Sequence, residues 1–206
     1  QIYIFNSLIQ TIKTVNLFDE IIFISQLIGT QKVMLKKDGH IILIGMSGAG
    51  KSTIGKQLGL RLERSFIDTD SRIENHYKKS IREIFQSEGE SEFRKYESQL
   101  LDELKNESPG VISVGGGLPC HHQNMSRLLS MGIVIYLKVS VEELCRRLTQ
   151  DQNDRPLYNG ISEKKMVSHT INLLKKRQST YVRSDIVIDS DFSVEEILDE
   201  LLSEIA

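Results

Sequence analysis

Apolar and polar positions follow two rhythms along this chain, and the rhythm switches repeatedly. Ile41 to Ile44 is a run of four apolar residues, mostly β-branched, which reads as a short strand covered on both faces. Ser65-Phe-Ile-Asp68-Thr-Asp70 reads as a second strand ending in carboxylates, and the run from Val111 as a third leading into Gly115-Gly-Gly117. Ile133 to Val139 is the most strand-like run, and Asp185 to Asp189 is the last strand. Between the strands the pattern turns helical, first over Lys51 to about Glu63 and then from Ser71 to Glu107. Within that second stretch, a helix runs from Ser71 to Tyr77. Ser80-Ile-Arg-Glu83 is a capping box that opens a helix through Phe85, with Gly89 at its end. Glu90 to about Lys105 follows, with Phe93, Leu100, Leu101 and Leu104 on its apolar stripe. Ser140-Val-Glu-Glu143 caps a further helix, Ser162 to about Ser179 forms another, and Ser193-Val-Glu-Glu196 opens a closing helix to Ile205. This alternation predicts an α/β fold in three α/β/α layers around a central parallel sheet of about five strands.

The first strand leads into Gly45-x-x-x-x-Gly50-Lys51-Ser52, the phosphate-binding loop pattern. Glycines let the backbone wrap an anion with its N–H groups pointing inward, and the helix that follows adds the positive end of its dipole. Gly48, Ala49, Gly50, Lys51, Ser52 and Thr53 are the candidate phosphate-binding residues, with Lys51 reaching the β- and γ-phosphates and Ser52 ligating Mg²⁺. The strand and helix on either side are what a mere glycine-rich corner would lack. A nucleoside triphosphate is the expected ligand.

Composition narrows the partners. With 206 residues, 39% of them hydrophobic, the chain supports one domain with a real core. A formal charge of −2 and the lack of a basic stripe give no pull toward nucleic acid or an acidic membrane surface. Cys120 and Cys145 lack metal spacing and read as ordinary thiols; with no secretory signal, a reducing cytoplasm is expected. Residues 1–33 are rich in Ile and Phe and contain no Arg. Their longest apolar run, Ile21 to Ile24, is far short of a membrane span. They read as an N-terminal appendage of unknown role, with residues 34–206, from Met34 onward, as the catalytic unit.

Several polar positions carry candidate chemistry. Asp68 and Asp70, two apart on an extended backbone, would face the same side at a strand's carboxyl end, where ligands gather in such sheets. One would hold Mg²⁺ through water and the other take a proton, although Asp70 also fits a helix N-cap. Arg94, among many charges, reads by itself as part of a solvated face. Gly115-Gly-Gly117 permits close backbone approach to a ligand, or else a flexible turn. His121 and His122 read as surface residues. Residues 149–160 are polar and punctuated by Pro156 and Gly160, a lid candidate with Arg155 available to a transferring phosphoryl group. Arg146 or Arg147 and the segment after Asp189 are the expected neighbours of the base.

Six motifs occur in a fixed order: the phosphate loop, Ile67-Asp-Thr-Asp70, Gly89-Glu-x-x-Phe-Arg94, Gly115-Gly-Gly117, Arg155-Pro-Leu157 and Arg177-x-x-x-Tyr181. Together, from Ile41 to the C terminus, they resemble the shikimate kinase family. The resemblance implies a P-loop kinase with a helical acceptor-binding insertion at about 71–108 and a lid at about 149–160. It implies transfer of the ATP γ-phosphoryl group to the 3-hydroxyl of shikimate, with Mg²⁺ as cofactor and shikimate 3-phosphate and ADP as products. Asp70 would bind the shikimate hydroxyls and act as base, with Lys51 and Arg155 completing the catalytic set. Arg94 and Arg177 would bind the carboxylate, whose planar shape suits a guanidinium fork. Gly115, Gly116 and Gly117 would line the ring, with Gly116 offering backbone contact to its hydroxyls. Asp68 would sit behind the Mg²⁺ held by Ser52. A monomer acting on ATP and shikimate, without nucleic acid or membrane, is expected. The sequence departs from the family's pattern in lacking a proline two residues after Arg177, and in its first 33 residues. A gluconate kinase of similar shape is the nearest rival, and a non-catalytic nucleotide-binding regulator the more distant one. The acceptor set Asp70, Arg94 and Arg177 disfavours the first, and the presence of Lys51, Asp70 and Arg155 the second.

Overall fold

Strand β1 (His40–Ile44) lies in the middle of a five-stranded sheet ordered β2-β3-β1-β4-β5, where β2 is Phe66–Asp68, β3 Val111–Ser113, β4 Gly132–Lys138 and β5 Ile186–Asp189. Every pairing is parallel, with Ile42 of β1 opposite both Ile112 and Val134. The structure, a computed structural model, describes residues 38–150 and 163–205. All of these lie in the compact unit Lys37–Ala206. The appendage expected at 1–33, Arg155 and most of the lid segment lie outside the described residues.

The helices are α1 (Lys51–Arg61), α2 (Thr69–Tyr77), α3 (Ile81–Ser87), α4 (Glu90–Leu104), α5 (Asn124–Met131), α6 (Val141–Gln150), α7 (Glu163–Tyr181) and α8 (Val194–Ile205). The crossover from β1 to β2 runs opposite to those that follow, so right-handed connections place α1 on one face of the sheet and α4 to α7 on the other. Ile41 to Ile44, Val111, Ile112 and Ile133 to Leu137 are buried, as expected for strands covered on both faces. No helix among the described residues is long and apolar enough to cross a membrane.

Local chemistry sets the ends of elements. Ser80 and Glu83 form both halves of their capping box, and so do Ser193 and Glu196. The box expected at Ser140 is only half formed. The Ser140 hydroxyl accepts the Glu143 N–H at 3.3 Å, but the Glu143 carboxylate turns to Arg146 and Arg147, and the Ser140 N–H donates to Asp191 instead. Thr149 and Gln150, expected in the lid, are the last residues of α6. Helix α5 has no counterpart in the sequence reading, although Met125, Leu128 and Met131 bury one face. Helix α7 runs unbroken past Arg177, so the missing proline leaves no kink. At the start of β1, buried His40 accepts the Gly110 N–H at Nδ1 (3.1 Å). Its Nε2 therefore carries the proton and donates to the Leu104 carbonyl at 2.9 Å, tying α4 to the sheet.

Candidate active site

The carboxyl ends of β1, β2 and β3 converge. After β1, three glycines take left-handed backbone, Gly45 at φ 145°, Gly48 at 85° and Gly50 at 86°, which costs a glycine little. At Gly45 a side chain is also excluded by space, since a Cβ would meet the Leu137 carbonyl at 2.7 Å. Gly50 caps α1 with no side chain over the first N–H groups, which leaves those donors and the dipole for an anion. The Lys51 ammonium donates to the carbonyls of Gly45 (3.0 Å) and Met46 (2.9 Å), across the mouth of the loop. The loop is braced from behind: Ser190 Oγ donates to the Ala49 carbonyl at 3.1 Å, and Arg147 reaches the carbonyls of Gly48 and Ser190.

Asp68 and Asp70 take separate tasks, and not on a shared extended backbone. Strand β2 stops at Asp68, which is the N-cap of α2, its Oδ1 accepting the N–H groups of Asp70 and Ser71. Its Oδ2 accepts the Ser52 hydroxyl at 2.6 Å, joining β2 to the phosphate loop. Asp70 thus lies in the first turn of α2. Its Oδ1 is out of reach of water and has no hydrogen-bond partner. It points at Gly115, where a Cβ would stand 2.6 Å away. Burial, helped by the charges of Asp68 and Glu74 and opposed by Lys51 and Arg94, pushes the Asp70 carboxyl up to about 6. Among the described residues no cluster of three His, Cys, Asp or Glu could hold a metal. Ser52 and Asp68 instead offer a sparse, hard oxygen set of the kind Mg²⁺ takes beside phosphates and water.

A cavity of about 550 Å³ opens next to this pair, lined by Asp70, Arg94, Glu97, Gly115 to Gly117 and Arg177, with Phe85 and Phe93 as its apolar part. Arg94 is buried, not part of a solvated face. Its Nε and Nη2 donate to Glu90 (3.2 and 2.7 Å) and its Nη1 to Glu97 (2.7 Å). One N–H on each Nη remains among these contacts, at the end of the fork that lies against Gly117. Arg177, also buried, comes from α7, with Nη1 at 4.0 Å from the Met46 sulfur. The cavity therefore carries the carboxylates of Asp70 and Glu97, two guanidinium groups and the backbone of three glycines. It suits a small polyhydroxylated acid next to a phosphate-binding loop.

The family model described as shikimate kinase matches residues 47–206. The chain belongs to the shikimate kinase family. The shikimate kinase of Azobacteroides pseudotrichonymphae genomovar. CFP2 is 41% identical over 168 residues, 81% of this chain and 99% of that protein. Among solved structures, the shikimate kinase of Bacteroides thetaiotaomicron superposes with a TM-score of 0.76 at 32% identity, covering 80% of this chain and 97% of that one. The shikimate kinase of Acinetobacter baumannii in complex with shikimate gives a TM-score of 0.76 at 32% identity, over 84% of this chain and 96% of that one.

For a shikimate kinase the chain brings together Lys51, Ser52, Asp68, Asp70, Arg94, Gly115 to Gly117 and Arg177, whereas Arg155 lies outside the described residues. Gly115 is distinct within the glycine run, because its N–H is already given to Thr69 Oγ1 at 3.0 Å and its carbonyl to the Leu118 N–H. A second cavity, of about 660 Å³, lies on the far side of the phosphate loop and is lined by Gly48, Gly50, Thr53, Arg146, Arg147 and Phe192. Glu97 and Tyr181 were not singled out as site residues in the sequence. Glu97 is buried, and one of its carboxylate oxygens has no partner. Burial pushes it up to about 7 against the pull of Arg94. The signal for it was present: it lies four residues after Phe93 and three before Leu100, a carboxylate on an apolar stripe. His121 and His122 flank the turn before α5, half-buried and exposed.

Proposed function

We propose that this chain transfers the γ-phosphoryl group of ATP to the 3-hydroxyl of shikimate, giving shikimate 3-phosphate and ADP. The observation that carries the reading is the cavity that joins Asp70, Arg94, Arg177 and the glycine run at the edge of the phosphate loop. ATP phosphates would lie along Gly48 to Thr53, with Lys51 moving from the Gly45 and Met46 carbonyls to the β- and γ-oxygens. The base would occupy the cavity between Arg146, Arg147 and Phe192. Mg²⁺ would be held by the Ser52 hydroxyl with Asp68 behind it, and when bound it supplies positive charge to the β- and γ-phosphates.

The acceptor's carboxylate would be taken by Arg177 and by the outward end of the Arg94 fork. Its ring hydroxyls would face Asp70 and the backbone of Gly116. Asp70 then accepts the proton of the attacking 3-hydroxyl as the O–P bond forms, the bridging oxygen leaving with ADP. A carboxyl raised to about 6 is ionised at neutral pH yet basic enough to hold a proton in the transition state. Arg155, from the lid, would approach the transferring group and neutralise its charge. There is no covalent enzyme intermediate, and catalysis is positioning plus charge stabilisation. We place this reaction in residues 34–206, acting as a cytoplasmic monomer.

The test is identification of the product. Incubation with ATP, Mg²⁺ and shikimate should give a new phosphate resonance coupled to the proton on C3 of the ring. Coupling to another ring proton, or free phosphate alone, would refute the assignment of the 3-hydroxyl.

A further inference from the structure

Tyr181 is the final residue of α7 and is completely buried, yet it does not line the acceptor cavity. Its hydroxyl donates to the Gly116 carbonyl at 2.6 Å, the tightest polar contact the glycine run makes. The phenol ring packs on Tyr136 of β4, centroids 5.0 Å apart, and the hydroxyl lies 3.8 Å from the Met46 sulfur. The ring therefore cannot swing away from its partner.

A peptide unit is planar and trans, so fixing a carbonyl also fixes the N–H on the opposite side of the same unit. The Gly116 carbonyl and the Gly117 N–H belong to one unit. The carbonyl points toward Tyr181, so the Gly117 N–H points the opposite way, and Gly117 itself lines the cavity. The preceding unit is held in the same way, since the Gly115 carbonyl accepts the Leu118 N–H at 3.0 Å and so aims the Gly116 N–H. Neither the Gly116 nor the Gly117 N–H has a partner among the described residues. Three glycines in sequence would otherwise rotate freely about these units.

We infer that Tyr181 is a positioning residue for the acceptor: its hydroxyl locks the 116–117 peptide so that the Gly117 N–H faces the ring hydroxyls. This rests on the shikimate reading of the cavity. Arg177 stands one turn earlier on the same face of α7 and would hold the carboxylate, so one helix sets both ends of the acceptor. The phosphate loop has braces of its own at Arg147 and Ser190, on the side away from the glycine run.

Tyr181→Phe removes one oxygen and keeps the packing. It leaves the half-buried Gly116 carbonyl without its hydroxyl donor and the peptide free to turn. The KM for shikimate should rise about tenfold while the KM for ATP stays within about twofold. Hydrogen exchange on the wild-type protein supplies the second reading: the amides of Gly116 and Gly117 should slow when shikimate binds. A lowered melting temperature with an unchanged shikimate KM would make Tyr181 a purely structural contact and overturn the inference. Should the variant fail to fold, exchange at the two amides that ignores shikimate overturns it equally. Wild-type protein that turns over no shikimate would instead refute the reading of the cavity, so the two failures are separable.

Discussion

Asp70 reconciles two demands on one carboxylate, a shielded oxygen and a charge at neutral pH. Burial raises it and Lys51 and Arg94 pull it back, which leaves it near 6. A carboxyl-carbon NMR titration of the ligand-free protein should show an apparent pKa close to 6 for Asp70; an ordinary value near 4 would deny the shielding. Arg94→Ala removes a guanidinium that lines the cavity beside Gly117, so the KM for shikimate should rise by about a hundredfold with the KM for ATP little changed. Equal losses for both ligands would point to damaged folding. The pair Asp68 and Asp70 was legible as two carboxylates near the phosphates, but their division of labour was not. It depends on where β2 stops, and that follows from the bonds Asp68 makes to the N–H groups of Asp70 and Ser71.

At the scale of elements, strands came through because β-branched runs buried on both faces leave a dense apolar signal, as in Ile41 to Ile44 and Ile133 to Leu137. Helix α5 did not, since its short stretch carries few strong markers and its N-cap residue, Gln123, offers no side-chain cap. The half-formed box at Ser140 shows the same limit: the local motif cannot reveal that Arg146 and Arg147 compete for Glu143. In α4 the buried stripe is interrupted by Glu97, which the fold protonates more readily than the unfolded chain does. A carboxyl raised from its ordinary range near 4 to about 7 stabilises the fold below the unfolded value, and that contribution is lost as pH rises through about 7. Asp70 acts in the same direction with its own limit near 6. The urea midpoint of the wild type should therefore fall, relative to Glu97→Gln, between about pH 5 and 7.5. A constant difference across that window would remove Glu97 from the account.

For the whole molecule, the site is an assembly of strand ends and helix residues far apart in sequence, from Gly45 to Arg177. Motif order foretold that Asp70, Arg94, Gly115 to Gly117 and Arg177 meet; the burial of Arg94 came only with the packing of α4, whose own turns bring Glu90 and Glu97 to its guanidinium. The catalytic unit is expected from Met34 onward, and a chain beginning there should retain a melting temperature and kcat within about twofold of the full chain. Loss of folding would instead make residues 1–33 part of the domain. The most direct measurement is steady-state ADP release from ATP and Mg²⁺ with shikimate, with gluconate and with neither, for the wild type and Asp70→Asn. Release should be fast only with shikimate, and at least about a hundredfold slower in Asp70→Asn while nucleotide binding persists. Release that ignores shikimate, or an Asp70→Asn variant that turns over normally, would contradict the assignment of Asp70 as the base of a shikimate-directed phosphoryl transfer.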